Sequence, residues 1–323
     1  MYILERGILF VLKYAIKRLL QLIPILFVAS ILIFALVRIT PSDPIASMTK
    51  GKKISAETRE ALEKKYHLDK SYPEQYVIWI GNVFRGNLGD SFQHKQSVNS
   101  LLAERLPTTL QLVFMSAVLA IIIAIPVGVI SAVKMNKLTD RILSVVTLVL
   151  VASPVFLTAI VLMIVFALRL KLFPVYGAGE SFVQNLYYLF LPSLALSLNM
   201  VALISRIMRS NMIEQLNSNY TTTAIAKGVP YFKVVMRHCF KNAVIPVITV
   251  AGIQVGSMIV GAVLVENVFA LGGIGDLLIS SIKASDYPVV QSITLLLVAL
   301  FLLINLLVDI LYAFIDPRIR LER

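Results

Sequence analysis

The chain has 323 residues, of which 58% are hydrophobic and only 15% are charged. Soluble domains carry about 25% charged residues, so this composition excludes an ordinary soluble protein and favours lipid as the solvent. The formal charge of +12 is also typical of nucleic-acid-binding proteins. Here, however, the basic residues lie in loops beside uncharged runs, which is the pattern of membrane topology and argues against nucleic acid as a partner.

Six apolar runs are long enough to cross a bilayer as helices, which needs about 20 residues each. The predicted transmembrane spans are residues 19–37, 106–133, 142–168, 186–204, 243–264 and 289–308. The first run is too long for a signal peptide, and no Ala-x-Ala cleavage pattern follows it. The sequence therefore predicts an all-α polytopic membrane protein with six transmembrane helices.

The connections between the spans differ in charge. The N-terminal flank 1–18, the turn after the second span and the connection 205–242 are all basic, whereas the loop 265–288 carries three acidic residues and one lysine. Basic residues hold short loops in the cytoplasm. Both termini, including the tail 309–323, are therefore expected on the cytoplasmic side, and the loop 265–288 is expected outside.

The long connection 38–105 is predicted to form an external subdomain, because long translocated segments are governed little by their charge. Ser55 is a suitable N-cap, and the residues that follow it, up to residue 66, are rich in Glu, Lys, Ala and Leu. We therefore expect a surface helix in this subdomain.

The connection 205–242 leads into the most informative stretch, which reads NYTTTAIAKGVPYFKVVMRHCFKNAVIP from residue 219 to residue 246. A helix is expected up to Lys227, Gly228 and Pro230 end it, and a basic amphipathic helix follows. Ala224 and Gly228 stand four residues apart, which would place them on one helix face open to a close partner. From spacing alone, a docking site for a protein and a helix lying in lipid headgroups explain the stretch equally well.

The same stretch resembles the cytoplasmic coupling loop of ABC importer permeases, whose pattern is Glu-Ala-Ala, three residues, Gly, nine residues and Ile-x-Leu-Pro. Ala224, Gly228 and Pro246 fit this pattern. Thr222 and Thr223 replace the Glu and the first Ala, as in the T-A-x-A-K-G form of peptide permeases.

Further blocks resemble the dipeptide, oligopeptide and nickel permease family along nearly the whole chain. They are KRLLQLIPILFVASILIFALVRITPSDP (17–44), KKYHLDKSYPEQYVIWIGNVFRGNLGDSF (64–92), RLPTTLQL (105–112), VENVFALGGIGDLLISSIKASDYPVVQ (265–291) and DPRIR (316–320). The resemblance implies the type I ABC importer permease fold, and the first of the two permease subunits in such a system.

The resemblance also implies function and partners. The chain would translocate small peptides across the bacterial cytoplasmic membrane with a second homologous permease subunit, two cytoplasmic ATPase subunits and an external substrate-binding protein. ATP and Mg²⁺ would bind the ATPases, so no cofactor, metal or catalytic residue is expected here, and the chain would not be an enzyme. The residues expected to couple to the ATPases are Tyr220, Thr223, Ala224, Ala226, Lys227, Gly228, Val229 and Pro230.

Other functions and sites remain open or are disfavoured. Nickel, metal chelates and glutathione are alternative cargoes of the same importer class. A secondary carrier is a more distant alternative, because no ionisable residue lies near the centre of a predicted span. Gln254 and Asn305 are candidate pathway residues, although hydrogen bonds between helices explain them as well. The glycines of the 272–275 segment are expected in an external turn, since no Lys-Ser or Lys-Thr follows them.

Overall fold

The computed structural model describes residues 2–39, 44–49, 52–177, 179 and 181–315. Almost all regular structure in these ranges is helical, apart from one isolated bridge between Asp90 and Ser97. The end of the predicted tail with its DPRIR block (residues 316–323), and residues 40–43 and 50–51 of the external subdomain, lie outside the described ranges.

Thirteen helices follow one another in the described chain. They are α1 Tyr2–Ile39, α2 Pro44–Met48, α3 Ala56–Lys65, α4 Tyr72–Phe84, α5 Val98–Val133, α6 Leu138–Ala152, α7 Val155–Leu162, α8 Phe182–Leu216, α9 Asn219–Ala226, α10 Tyr231–Lys233, α11 Phe240–Phe269, α12 Ile274–Lys283 and α13 Tyr287–Ile315. Two π-helical segments extend them, Met163–Arg169 after α7 and Val234–Cys239 between α10 and α11.

Five helical segments are long and apolar enough to cross a membrane, and a sixth span is obtained if one bent helix pair is counted. The five are Ala15–Ile39, Val98–Val133, Val183–Leu216, Tyr231–Phe269 and Tyr287–Ile310. The bent pair is Leu138–Ala152 with Val155–Arg169. The prediction of an all-α polytopic membrane protein is confirmed.

The predicted span 142–168 is divided by a sharp bend. Its two helices meet at 111°, and the break falls at Ser153 and Pro154. Ser153 has extended backbone angles (φ −83°, ψ 126°), because the ring of a following proline clashes with a helical conformation at the preceding residue. Hydropathy alone describes this segment as one apolar run and does not reveal the bend.

The core is formed where α5, α8 and α11 pack together, around fully buried side chains such as Leu112, Ile204, Met208 and Ile259. Small residues allow the close approach of these helices. A Cβ at Gly128 of α5 would lie 2.6 Å from Cβ of Met208 in α8, and one at Gly261 of α11 would lie 2.9 Å from Cδ1 of Leu196. Close packing at small residues is a common way for membrane helices to associate without a hydrophobic driving force between them.

The external subdomain contains α2, α3 and α4. Ser55 caps α3, as the sequence predicts, by accepting a hydrogen bond of 3.2 Å from the backbone N–H of Thr58. At the start of α4, the N–H and Oγ of Ser71 both donate to Oε2 of Glu74, at 3.1 and 3.0 Å. These hydrogen bonds lower the pKa of the Glu74 carboxyl.

Two buried acidic residues connect the external loops to the helix bundle. Asp286, just before α13, accepts hydrogen bonds from the Ser91 hydroxyl (2.5 Å) and from the N–H groups of Phe92 and Gln93 (3.1 Å each). Glu266, near the end of α11, accepts from the N–H of Gly275 at 2.7 Å. The glycines of the 272–275 segment thus belong to a turn that folds back on this carboxylate.

Candidate functional site: the coupling segment and the cavity at the helix break

The predicted coupling segment, residues 219–233 and called the coupling segment below, consists of two short helices joined by a tight turn. The first helix, α9, ends at Ala226, and α10 begins at Tyr231 after Pro230. Gly228 lies between them with φ +79°, a left-handed conformation that side chains with a Cβ disfavour. The turn is closed by hydrogen bonds from the Gly228 N–H to the Ile225 carbonyl (2.9 Å) and from the Val229 N–H to the Ala224 carbonyl (3.2 Å).

The coupling segment is anchored to the bundle on both sides. The buried Thr221 donates its hydroxyl to the carbonyl of Gln215, at the end of α8, over 2.8 Å. The same hydroxyl lies 3.3 Å from Sγ of Cys239, the buried residue that precedes α11. Tyr220 donates to the Gln215 side chain at 2.6 Å and accepts from Asn242 at 3.3 Å. The coupling segment is therefore joined both to the end of α8 and to the start of α11.

The predicted coupling residues divide into an exposed set and a packed set. Tyr220, Thr223, Ala226, Lys227, Gly228 and Pro230 are exposed. Ala224 and Val229 are half-buried and pack against the chain's own core. Since α9 ends before Gly228, Ala224 and Gly228 do not form the continuous helix face expected from their spacing.

Three large apolar side chains that the sequence did not single out are exposed on the coupling segment. Phe232 is 76% exposed, Tyr231 52% and Ile225 48%. Ile225 lies outside the segments that are long enough to cross a membrane, whereas Tyr231 and Phe232 begin the segment Tyr231–Phe269. Their exposed apolar surface suits a protein partner or the lipid headgroup boundary. The available signal was the pair of aromatic residues that directly follows Pro230, which the T-A-x-A-K-G form does not include.

A cavity of about 370 Å³ lies where α6 and α7 break apart. Ser153 and Pro154 line it from the break, Asn199 from α8, and Gln254 and Ser257 from α11. Gln254, one of the two candidate pathway residues, therefore faces this cavity together with Asn199. Polar side chains around a cavity in a membrane bundle are arranged to meet water or a polar solute.

Asn305, the other candidate pathway residue, is placed between helices and not at this cavity. Its Oδ1 is buried against α11, where a Cβ at Gly256 would lie only 2.9 Å from it. Gln254 and Asn305 are both candidate pathway residues by sequence, but the structure places them in different surroundings.

A polytopic helical bundle with a broken helix beside a polar cavity is typical of a membrane transport component. The chain belongs to the family described as binding-protein-dependent transport system inner membrane component, which it matches over residues 124–321, and the N-terminal model of the same family matches residues 11–113. It is a multi-pass inner-membrane permease of the ABC importer class, and as a transport subunit it is not an enzyme.

Named relatives cover almost the entire chain. A Brucella ovis protein named as a peptide permease is 41% identical over 316 residues, which is 96% of this chain and 99% of the relative. The glutathione transport system permease protein GsiC of Escherichia coli K12 is 38% identical, and the oligopeptide transport system permease protein OppB of Haemophilus influenzae is 36% identical, each with 96% of this chain and 99% of the relative aligned.

A solved structure of the MetNI methionine ABC transporter, in an inward-facing conformation, shares the fold. The TM-score is 0.57 at 17% sequence identity, and the match covers 67% of this chain and 96% of the solved one. The type I importer permease fold expected from the sequence is confirmed.

Proposed function

We propose that this chain carries small peptides inward across the cytoplasmic membrane, paired with a second homologous permease subunit. Two cytoplasmic ATPase subunits power the movement, and an external binding protein delivers the cargo. The observation that carries the proposal is the alignment, from end to end, with relatives named for peptide and oligopeptide transport. Relatives named for glutathione transport support a modified tripeptide as the second candidate cargo.

In this proposal the coupling segment receives force from the ATPases. Exposed Phe232 and Tyr231 fit an apolar socket on an ATPase, and Lys227 and Lys233 fit acidic or carbonyl groups at its rim. The hydrogen bonds of Thr221 to Gln215 and Cys239 pass the motion to α8 and α11. Both helices also line the cavity at the helix break, through Asn199 and Gln254. The chain itself binds no ATP or other cofactor.

The cargo is tested by purifying the intact complex with its binding protein and identifying the small molecule that the binding protein retains. A peptide is expected. A metal chelate would transfer the assignment to the alternative cargo of the same importer class, and a molecule that is neither would contradict the proposed substrate. Inactivating the nucleotide site of the ATPases should stop uptake, whereas continued uptake would identify a secondary carrier.

The orientation is tested by cysteine labelling, for which this chain is well suited because its single cysteine, Cys239, is buried. Phe84 and Phe232 are 85% and 76% exposed and lie on predicted opposite sides of the membrane. A membrane-impermeant maleimide should label Phe84→Cys in intact cells and Phe232→Cys only after permeabilisation. The reverse pattern would contradict the proposed cytoplasmic location of the coupling segment and of both termini.

A further inference from the structure

The cavity at the helix break lies near the middle of the predicted spans. Ser153 and Pro154 divide the bent pair of helices into two segments of equal length. Gln254 stands at the centre of the predicted span 243–264. Discontinuous helices of membrane transporters commonly form binding sites at this depth. The cavity is therefore placed where a cargo has already left bulk water.

The wall of this cavity is polar but uncharged. α8 and α11 each contribute one helix face, with residues spaced by three or four positions. They are Leu196, Asn199 and Met200 from α8, and Gln254, Ser257, Met258 and Gly261 from α11. None of the described residues that line the cavity carries a charge. A bare ion would be poorly stabilised here, because a buried charge needs a counter-charge.

The side-chain amides of Asn199 and Gln254 are open to the cavity. Neither amide, nor the Ser257 hydroxyl, forms a hydrogen bond with another described residue. Asn199 and Gln254 are half-buried, and the unpartnered side-chain atoms that are fully enclosed in the described part of the chain belong to other residues. The two amides therefore keep accessible surface at the cavity that they line.

The helix break brings main-chain groups to the same wall. The last carbonyls of a helix and its first N–H groups have no partner within the helix. Val151 and Ala152 are the last residues of α6, Val155 is the first of α7, and all three line the cavity. The break thus adds main-chain groups of both kinds next to the two side-chain amides.

These groups match the main chain of a peptide. A side-chain amide has a carbonyl acceptor and an NH₂ donor, and a peptide bond has one C=O and one N–H, so the two pair reciprocally. Met200 and Met258 supply flexible, polarisable contacts that adapt to different cargo side chains. The volume of about 370 Å³ falls within the range of about 300–1,000 Å³ for small-ligand pockets. A short peptide therefore fits both the size and the chemistry of the cavity.

We propose that the cavity at the helix break recognises the main-chain amide groups of the cargo, and that Asn199 and Gln254 are its specificity-determining residues. The charge of the cargo is not recognised, because the wall has no charge. An amide that leaves water without a hydrogen-bond partner costs free energy, and the two side chains reduce that cost for peptides with different side chains. This inference rests on the proposed peptide cargo and specifies how that cargo is recognised.

Equilibrium dialysis of the purified full chain tests this recognition, since residues of this chain line the cavity. Nanodiscs of neutral phosphatidylcholine, with and without the chain, are dialysed against radiolabelled trialanine, N-acetyl-trialanine amide and the ester analogue of that capped peptide, in which oxygen replaces each internal N–H. Removal of both terminal charges in the capped peptide should change the Kd by less than about threefold. The ester lacks the N–H donors and should bind about tenfold more weakly or worse.

Two variants of similar shape assign the effect to the side-chain amides. Asn199→Leu and Gln254→Met should each weaken binding of the capped peptide by about fivefold to tenfold. Each should also reduce the preference for the amide over the ester, which a loss of packing alone would leave unchanged. Asn305→Leu is the matched control, because Oδ1 of Asn305 is buried against α11 and this residue does not line the cavity. This variant should bind all three peptides as the unchanged chain does.

Three outcomes would overturn the proposal. Absence of peptide binding to the unchanged chain would mean that the cavity holds only water. Equal binding of the amide and the ester would attribute binding to apolar contacts, and loss of binding on capping would indicate recognition of the terminal charges. Thermal unfolding identifies a variant that fails to fold, in which case the amide and ester comparison on the unchanged chain decides.

Failure of this inference is distinguishable from failure of the proposed function. If the chain prefers the amide but the external binding protein retains a metal chelate, the proposed cargo is wrong while the recognition site stands. If the binding protein retains a peptide but the chain does not distinguish the amide from the ester, the proposed cargo stands and the recognition site is wrong.

Discussion

Arg209 of α8 binds both carboxylate oxygens of Asp140 in α6, with Nε and the second guanidinium nitrogen at 2.7 and 2.8 Å. The Asp140 side chain is only 4% exposed, and it also accepts from the Ser131 hydroxyl (2.5 Å) and the Asn136 N–H (2.9 Å). The pair fastens the turn between α5 and α6 to the helix that leads into the coupling segment. Asp140 is thus the point at which three helices meet.

Breaking this pair should destabilise the protein. Arg209→Met leaves a buried carboxylate without its cation, and a loss of about 3 kcal/mol in unfolding free energy is expected. The double variant Asp140→Asn with Arg209→Met should recover much of that loss, because the unpaired charge is gone. Thermal unfolding in nanodiscs measures both, with Arg206→Met as the control, since Arg206 is exposed on the same helix. Equal stability of the Arg206 and Arg209 variants would contradict the prediction.

Phe232 should contribute most to binding of the ATPases. Phe232→Ala removes the most exposed large apolar side chain of the coupling segment and should weaken ATPase association by about tenfold or more. Phe84→Ala is the matched control, because Phe84 is at least as exposed as Phe232 but lies in the external subdomain. Co-purification of the ATPases with each variant, together with the uptake rate, provides the readout. Unchanged association in Phe232→Ala would remove this residue from the interface.

Two substitutions at Gly228 separate the need for a left-handed turn from the need for close contact with an ATPase. A Cβ added at Gly228 would meet no atom of this chain within 4 Å. Within this chain, a substitution is therefore penalised only by the positive φ angle of this residue. Gly228→Val should strain the turn by about 1–2 kcal/mol and reduce ATPase association. Asparagine tolerates the left-handed conformation better. Normal coupling in Gly228→Asn would therefore assign the glycine to turn geometry, and failure of both variants would assign it to close approach by the ATPase.

Gln254 and Asn305 should differ in transport. Gln254→Leu removes a polar group from the cavity at the helix break and should change the KM for uptake by a factor of up to about ten. Asn305→Leu alters a contact between α11 and α13 and should leave KM unchanged while affecting stability. Uptake kinetics and thermal unfolding are measured for both. An altered KM in the Asn305 variant alone would place the pathway on the other face of α11.

Gly252 of α11 lies so close to Val308 of α13 that a smaller residue at position 308 should compensate for a larger one at position 252. A Cβ at Gly252 would overlap the Val308 side chain, so Gly252→Ala should cost about 1–3 kcal/mol of stability through overpacking. Adding Val308→Ala removes the overlapping methyl groups and should restore most of it. Gly81→Ala in α4 is the control, because no atom lies within 4 Å of a Cβ there. If the double variant unfolds at a lower temperature than Gly252→Ala, the result would contradict this close contact.

The sequence by itself determined the membrane class, the family and several local features. A long uncharged run favours transfer of that segment into lipid, and such a run consists of residues close together in the chain. The same is true of the Ser55 cap and of the turn at Gly228 and Pro230, whose chemistry spans only a few residues.

Only the tertiary structure decided which residues meet. Gln254 and Asn305 look alike in sequence, yet α11 directs one to a cavity and packs against the other. Ser153 and Pro154 divide what hydropathy describes as one span. Arg38, Trp79 and Gln291 come from three different helices and line one cavity. Each of these facts depends on contacts between residues distant in the chain, which a pattern along the sequence does not record.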